Sequence, residues 1–209
     1  MKICRVLLPV TLALSLMGCG DIDNPLVLSL QPLFTDQDVN FDPALVGAFQ
    51  EETLTFTFKK SGDTAYNLIV TEKDEEQETS GAFDAHLVRL GGFWFLDFYP
   101  ADPDLSAAGD FYRFHLMRGH SIGRIWIVGN VVRIALLDGE WVKKGIDEKR
   151  LDIKHEIFDD DILLTDTTLA FQDLASRHGT DEKAFPHILE LRRLADSPEQ
   201  LIATPEEGN

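Results

Sequence analysis

Cysteine is nearly missing from this 209-residue chain: Cys4 and Cys19, both close to the N-terminus, are its two thiols. No disulfide framework and no cysteine-ligated metal site can therefore be built further along, and stability has to come from packing. Basic residues are also scarce, with 19 Lys and Arg against 36 Asp and Glu and a net charge of −17. So acidic a chain is repelled by nucleic acid and by anionic headgroups, which excludes nucleic acid as a partner. The apolar stretch after Arg5 falls short of the roughly 20 residues that span a bilayer. Internal repeats are missing too. Histidines are few: His115 and His120 stand five apart across a turn with no third ligand, so neither a metal nor a cofactor is expected.

What is present begins with Met1-Lys2-Ile3-Cys4-Arg5, a positive start, followed by the apolar run Val6 to Ser15. These are the parts of a secretory signal peptide. Leu16-Met17-Gly18-Cys19 closes it and resembles the lipobox of bacterial lipoproteins. The resemblance implies that residues 1–18 are removed and that the Cys19 thiol is alkylated with lipid, with further acylation (palmitate-type) of the new amino terminus. A thiol is the soft nucleophile such a step needs, and a small Gly18 lets a peptidase reach the bond. Loss of Lys2 and Arg5 takes the charge from −17 to −19. Attachment to a membrane must then come from the lipid, whose acyl chains contribute about 0.8 kcal/mol per buried methylene. In the resembling family, an aspartate directly after the cysteine retains the protein at the inner membrane. Gly20 stands there, so the expected location is the outer membrane facing the periplasm. Asp21, one place later, keeps the inner membrane as the alternative.

About 190 residues remain after cleavage, enough for one domain with a real core. Residues 19–42 read as the lipidated cysteine and a tether whose later part lies against the domain. Residues 43–195 read as that domain, and 196–209 as a disordered tail. Pro43 to Val46 suits one helical turn ended by Gly47. From Thr53 the apolar period becomes two, with turn signals every 8–12 residues. Strands are expected at 53–58, 66–70, 81–90, 93–99, 111–117, 122–128 and 131–137. Asp138 caps a short helix over 139–149, and two strands, 155–158 and 162–165, flank an acidic turn. Asp166 or Thr167 caps a helix ending at His178 before Gly179, and 185–194 is expected to be helical.

Two-residue turns define strand register. Across Gly91-Gly92, Trp94, Leu96 and Phe98 face the same way as Arg89, Leu87 and Ala85. Across Gly129-Asn130, Ile125 meets Ile134, Ile127 meets Val132 and Gly123 meets Leu136. With Leu54, Phe56, Phe58, Leu68, Val70, Tyr112, Phe114 and Leu116 these make one apolar face, the predicted core. On the other face, Val88, Leu90, Phe93, Phe95, Trp126 and Val128 are expected to lie under the C-terminal helices. The fold class that follows is mainly β with minor α: an antiparallel up-and-down meander closing into a barrel or sandwich, with helices packed on it.

In layout the chain resembles the lipocalin-type calycins. The helical turn leads into Gly47-Ala48-Phe49, where the family's glycine, any residue, tryptophan motif has Phe49 in place of the tryptophan. A meander and a late helix follow. The resemblance implies a lipocalin-like barrel able to hold an apolar ligand.

Five side chains form the candidate binding set: Arg113, His115, Arg124, Trp126 and Arg133, all on the second face of neighbouring strands. The preferred register puts Arg113 opposite Trp126 and His115 opposite Arg124. Arg133 also opposes Trp126, so the indole is expected between two guanidiniums. Such arginines could receive a carboxylate or phosphate, or simply pair with acids of the covering helices such as Asp173. Gly119-His120-Ser121-Ile122-Gly123 matches the esterase pattern G-x-S-x-G, which works only as a strand-to-helix elbow. Here strand follows, and Gly119-His120 reads as a hairpin turn. Asp102, Asp104, Ser106 and Asp110 lack the glycine and terminal glutamate of a calcium loop. His86 falls opposite Asp97 as a cross-strand polar pair. No nucleophile, base and orienting residue assemble, so no enzymatic activity is expected. The expectation is a lipid-anchored envelope protein that binds a small hydrophobic or amphipathic molecule in its barrel. The alternative is an interaction protein with a fully packed core that meets an envelope protein.

Overall fold

A computed structural model of the chain describes residues 25–74, 76–101, 118–158 and 160–195. In chain order its strands are β1 (Val27–Ser29), β2 (Val39–Asn40), β3 (Gly47–Glu51), β4 (Leu54–Ser61), β5 (Ala65–Lys73) and β6 (Glu78–Leu90). They continue with β7 (Phe93–Pro100), β8 (Ser121–Val128), β9 (Val131–Leu136), β10 (His155–Phe158), β11 (Asp161–Leu164) and β12 (Ile188–Arg193). The helices are α1 (Gly139–Asp147) and α2 (Thr168–His178), and a 3-10 turn spans Pro43–Leu45. The lipidation site Cys19 lies outside the described residues, as do Arg113, His115 and the expected strand 111–117.

Eight strands close a barrel. β3 through β9 pair in sequence, every neighbour antiparallel, and β12 fits between β9 and β3. A closed sheet leaves no barrel strand with an open edge, which removes the usual route to edge aggregation. The mainly β, lipocalin-like architecture read from the sequence is the one observed. Gly91 and Gly92 have φ of 57° and 87° and Gly129 has 58°, a region open to glycine at little cost. The registers they define match the expected ones: Arg89↔Trp94, Leu87↔Leu96 and Ala85↔Phe98, then Gly123↔Leu136, Ile125↔Ile134 and Ile127↔Val132.

Three local expectations are corrected. Residues 185–194 are not a helix, since Ile188–Arg193 is β12, paired on both sides. Leu189 and Leu191 sit two apart and turn inward, while Arg192 is exposed. Phe185, Ile188 and Leu189 have the i, i+3, i+4 spacing of a helix face, but the two strand edges left open by β3 and β9 decide for the strand. Second, the edge of β8 away from β9 carries β7, from Phe95↔Arg124 to Phe98↔Ser121. Third, Gly119-His120 is not a hairpin turn. His120 bridges Ser29 through two backbone hydrogen bonds of 2.8 Å, and a Cβ on Gly119 would press on Leu28.

One face of the barrel sheet forms the interior: Phe49, Phe56, Phe58, Tyr66, Leu68, Leu87, Leu96, Ile125, Val132, Ile134 and Leu191 are all buried together. Outside the wall lies a second core, in which Val88, Phe95 and Ala135 meet Phe171, Leu174 and Ala175 of α2, and Trp141 and Val142 of α1. Leu90, Phe93 and Trp126 pack against it, as expected for a covered face. Val128 does not, and is 66% exposed. Asp138 caps α1 by accepting from Trp141 N–H at 2.7 Å, and Thr167 caps α2 by accepting from Ala170 N–H. The acidic hairpin β10–β11 gains β1 as a parallel third strand. Residues 25–42 thus belong to the fold, with Val27 and Leu33 buried.

Candidate functional site

The barrel interior is the first place to look for a ligand, and it is filled. Phe49, Phe58, Tyr66, Leu68, Leu87, Leu96, Ile125, Val132 and Leu191 are each 0–1% exposed. Phe49 meets Phe58 edge-on at 6.2 Å, and Phe58 meets Tyr66 edge-on at 6.0 Å. The Tyr66 hydroxyl accepts from Asp42 N–H at 2.7 Å and donates to the Asp42 carbonyl at 3.0 Å. Burial pushes its phenol pKa up. One end of the barrel is closed by the 3-10 turn and by Arg193, whose guanidinium donates to the Ala44 and Val46 carbonyls and lies 4.4 Å over the Phe49 ring. Phe49, two residues after Gly47, is thus capped from the last strand.

A buried polar cluster lies on the outer wall. Asp97 of β7 is fully buried, accepting from Leu33 N–H at 2.8 Å and from His120 Nδ1 at 2.7 Å. The expected cross-strand register His86↔Asp97 is present, yet the carboxylate bonds to Leu33 and His120 instead. His86 stacks on Phe34 at 4.2 Å, and its Nδ1 has no hydrogen-bond partner. Burial depresses the His86 pKa, opposed by the charges of Asp97 and Asp84. Gln172 of α2 donates to the Leu33 carbonyl and to Asp38. The cluster therefore holds the segment before β2 onto the barrel. No group of three or more metal-ligating side chains occurs among the described residues. The run Gly119–Gly123 is extended, with Ser121 paired to Phe98, which is not the elbow that serine hydrolysis requires.

The third place involves the predicted arginine–aromatic set, of which Arg124, Trp126 and Arg133 are described. Trp126 and Arg133 are Cα partners as expected, but the expected sandwich is replaced. Arg133 turns to Glu190 of β12, with Nε to Oε2 at 2.8 Å. This pulls the Glu190 carboxyl below its ordinary range. Arg124 takes the stacking role, its guanidinium 4.7 Å from the Trp126 ring centroid and 4.6 Å from that of Phe93. Phe95 occupies the cross-strand place opposite Arg124. β7 and β8 pair only as far as Phe95↔Arg124. Past that point Gly92, Phe93 and Trp94 face Ile125 to Val128 across a slot of about 210 Å³. The role of Phe93 could have been read from the sequence only by knowing that β7 borders β8.

A larger open groove of about 600 Å³ runs past α1, lined by Trp141, Lys143, Lys144, Lys183 and by Asp138, Glu140, Asp147 and Asp160. Its charges largely cancel, and Lys143 is already bound to Asp160 at 3.0 Å. The chain matches no protein-family model, no curated protein and no solved structure at a significant level.

Proposed function

We propose that this chain is a lipid-anchored envelope protein acting through its surface, held to the membrane by lipid on Cys19 and meeting an envelope protein with a barrel packed solid. The filled interior carries this reading. Nine inward side chains at 0–1% exposure leave the interior occupied by protein, where a drug-sized ligand needs about 300 Å³ or more. The lipobox and the acidic composition support the anchor, because a net charge that falls from −17 to −19 on loss of Lys2 and Arg5 gives the chain no electrostatic attraction of its own to anionic lipid. The strand geometry at Ser121 and the structural engagement of Asp97 and His120 support a non-enzymatic role. The outer membrane facing the periplasm is the favoured location.

The test has two arms. Cell fractionation should find the chain with membranes and Cys19→Ala in the soluble fraction; a membrane-bound variant would overturn the anchor. Native mass spectrometry of the domain carrying Arg124→Gln, purified from its own envelope, should show no molecule retained until the barrel unfolds. A molecule retained by this variant would place a ligand inside the barrel and overturn the packed reading.

A further inference from the structure

We infer that the slot between the diverging ends of β7 and β8 is a binding site for a small anionic amphiphile, with Arg124 receiving the anionic head and Phe93, Trp94 and Trp126 the apolar tail. The inference does not depend on the interaction reading above.

The first support is the state of Arg124. Its guanidinium carries five donors in a planar fork, and among the described residues it is engaged by the Phe93 and Trp126 rings alone. Arg133, Arg150, Arg177 and Arg192 each reach a carboxylate. In a chain with 36 acidic residues, the described residues that line the slot include none. Burial also lowers the Arg124 pKa from its ordinary value, as partial desolvation of a cation does.

The second support is shape. The Phe93 and Trp126 ring centroids lie 4.6 and 4.7 Å from the guanidinium carbon, and no acceptor among the described residues takes its N–H groups, which leaves them to a carboxylate or phosphate oxygen pair. Behind it the slot continues past Trp94, Ile125 and Ile127. Trp94 is itself overlaid by the Arg89 guanidinium at 5.3 Å. A Cβ on Gly179 would strike the Phe93 ring at 2.7 Å, so the residue that ends α2 packs closely against Phe93. At about 210 Å³ the slot takes one short tail and not a whole lipid.

Carboxylate and phosphate heads share this chemistry, so the probes separate them. The chain from residue 19 onward, carrying Cys19→Ser, retains every described element. Titration calorimetry on it should show binding of octanoate or octyl phosphate, the stronger of the two naming the source, and at least about tenfold weaker binding of octylammonium. Tryptophan emission should shift with the same midpoint, since Trp94 and Trp126 line the slot. Arg124→Gln should weaken the anionic probe about tenfold or more, while Arg133→Gln, outside the lining, leaves it unchanged. Equal binding of octylammonium, or full binding by Arg124→Gln, would overturn the site. If Arg124→Gln fails to fold, the head-group series on the unsubstituted chain decides alone, with no binding of either anion counting against the proposal.

Discussion

Asp97 and His120 meet at 2.7 Å, in a pair that ties β7 to the residue just ahead of β8, with the Asp97 side chain wholly buried. The second carboxylate oxygen accepts the Leu33 amide at 2.8 Å. One side chain therefore satisfies two donors from two distant segments. Asp97→Ala should destabilise the domain by about 2–4 kcal/mol, because it leaves buried donors unpaired. Urea unfolding monitored by circular dichroism measures this. A loss below about 1 kcal/mol would mean that water replaces the carboxylate at no large cost.

Gly47 and Arg193 form the seal at the turn end of the barrel. Gly47 has φ of 130°, and a Cβ there would land on the Arg193 guanidinium. Gly47→Ala should cost about 1–3 kcal/mol from backbone strain, with further loss if Arg193 is displaced from the Ala44 and Val46 carbonyls. Thermal melts of Gly47→Ala and Arg193→Met should show both lowered. A Gly47→Ala melt equal to the parent would remove the seal as a stabilising feature.

β12 separates a strand from a helix by experiment. Arg192 pairs with Val131 on one side and Gln50 on the other. Arg192→Pro removes a ladder donor and should cost about 3 kcal/mol or more. Leu191→Ala, at a position fully buried in the interior, should cost about 2–5 kcal/mol. Nuclear Overhauser contacts should link residues 189–192 to 131–134 across the ladder and Arg192 to Gln50, and helical i to i+3 contacts within 185–194 would refute the closure.

His86 should set an acid limb of stability. Burial lowers its folded-state pKa below the ordinary 6.5, while Asp97 and Asp84 raise it and His120 lowers it. The unfolded chain then binds more protons than the native one just below pH 6.5. Stability is therefore full above that pH and falls as the pH drops toward the folded value. His86→Phe keeps a ring against Phe34 and does not titrate. Its stability should be flatter in this window, as read from denaturation midpoints at stepped pH. The limb from Asp38 and Asp166, whose pKa values are lowered by hydrogen bonds, lies further down, near their ordinary 3.8, and should be unchanged.

Much of the barrel is legible in local chemistry. Paired glycines and Gly129-Asn130 define registers within two residues of chain, the alternation of Leu54 to Phe58 names the inward face, and Asp138 and Thr167 announce their helices by capping. These are short-range effects, so residue order alone determined them. Which strand lies beside which is a long-range matter. The pattern around Leu189 and Leu191 is compatible with helix or strand, and the open edges of β3 and β9 chose the strand. Placing Phe95 opposite Arg124 likewise required β7 to border β8. That neighbour decided that Arg124 stacks between Phe93 and Trp126, while β12 drew Arg133 away to Glu190. Residue order thus determined the lipobox-like segment, the alternating strands from Leu54 to Leu136 that are described, and the glycine turns at 91–92 and 129–130. Barrel closure, the buried duty of Asp97 and the unpaired guanidinium at the slot were decided only when segments far apart in sequence came into contact.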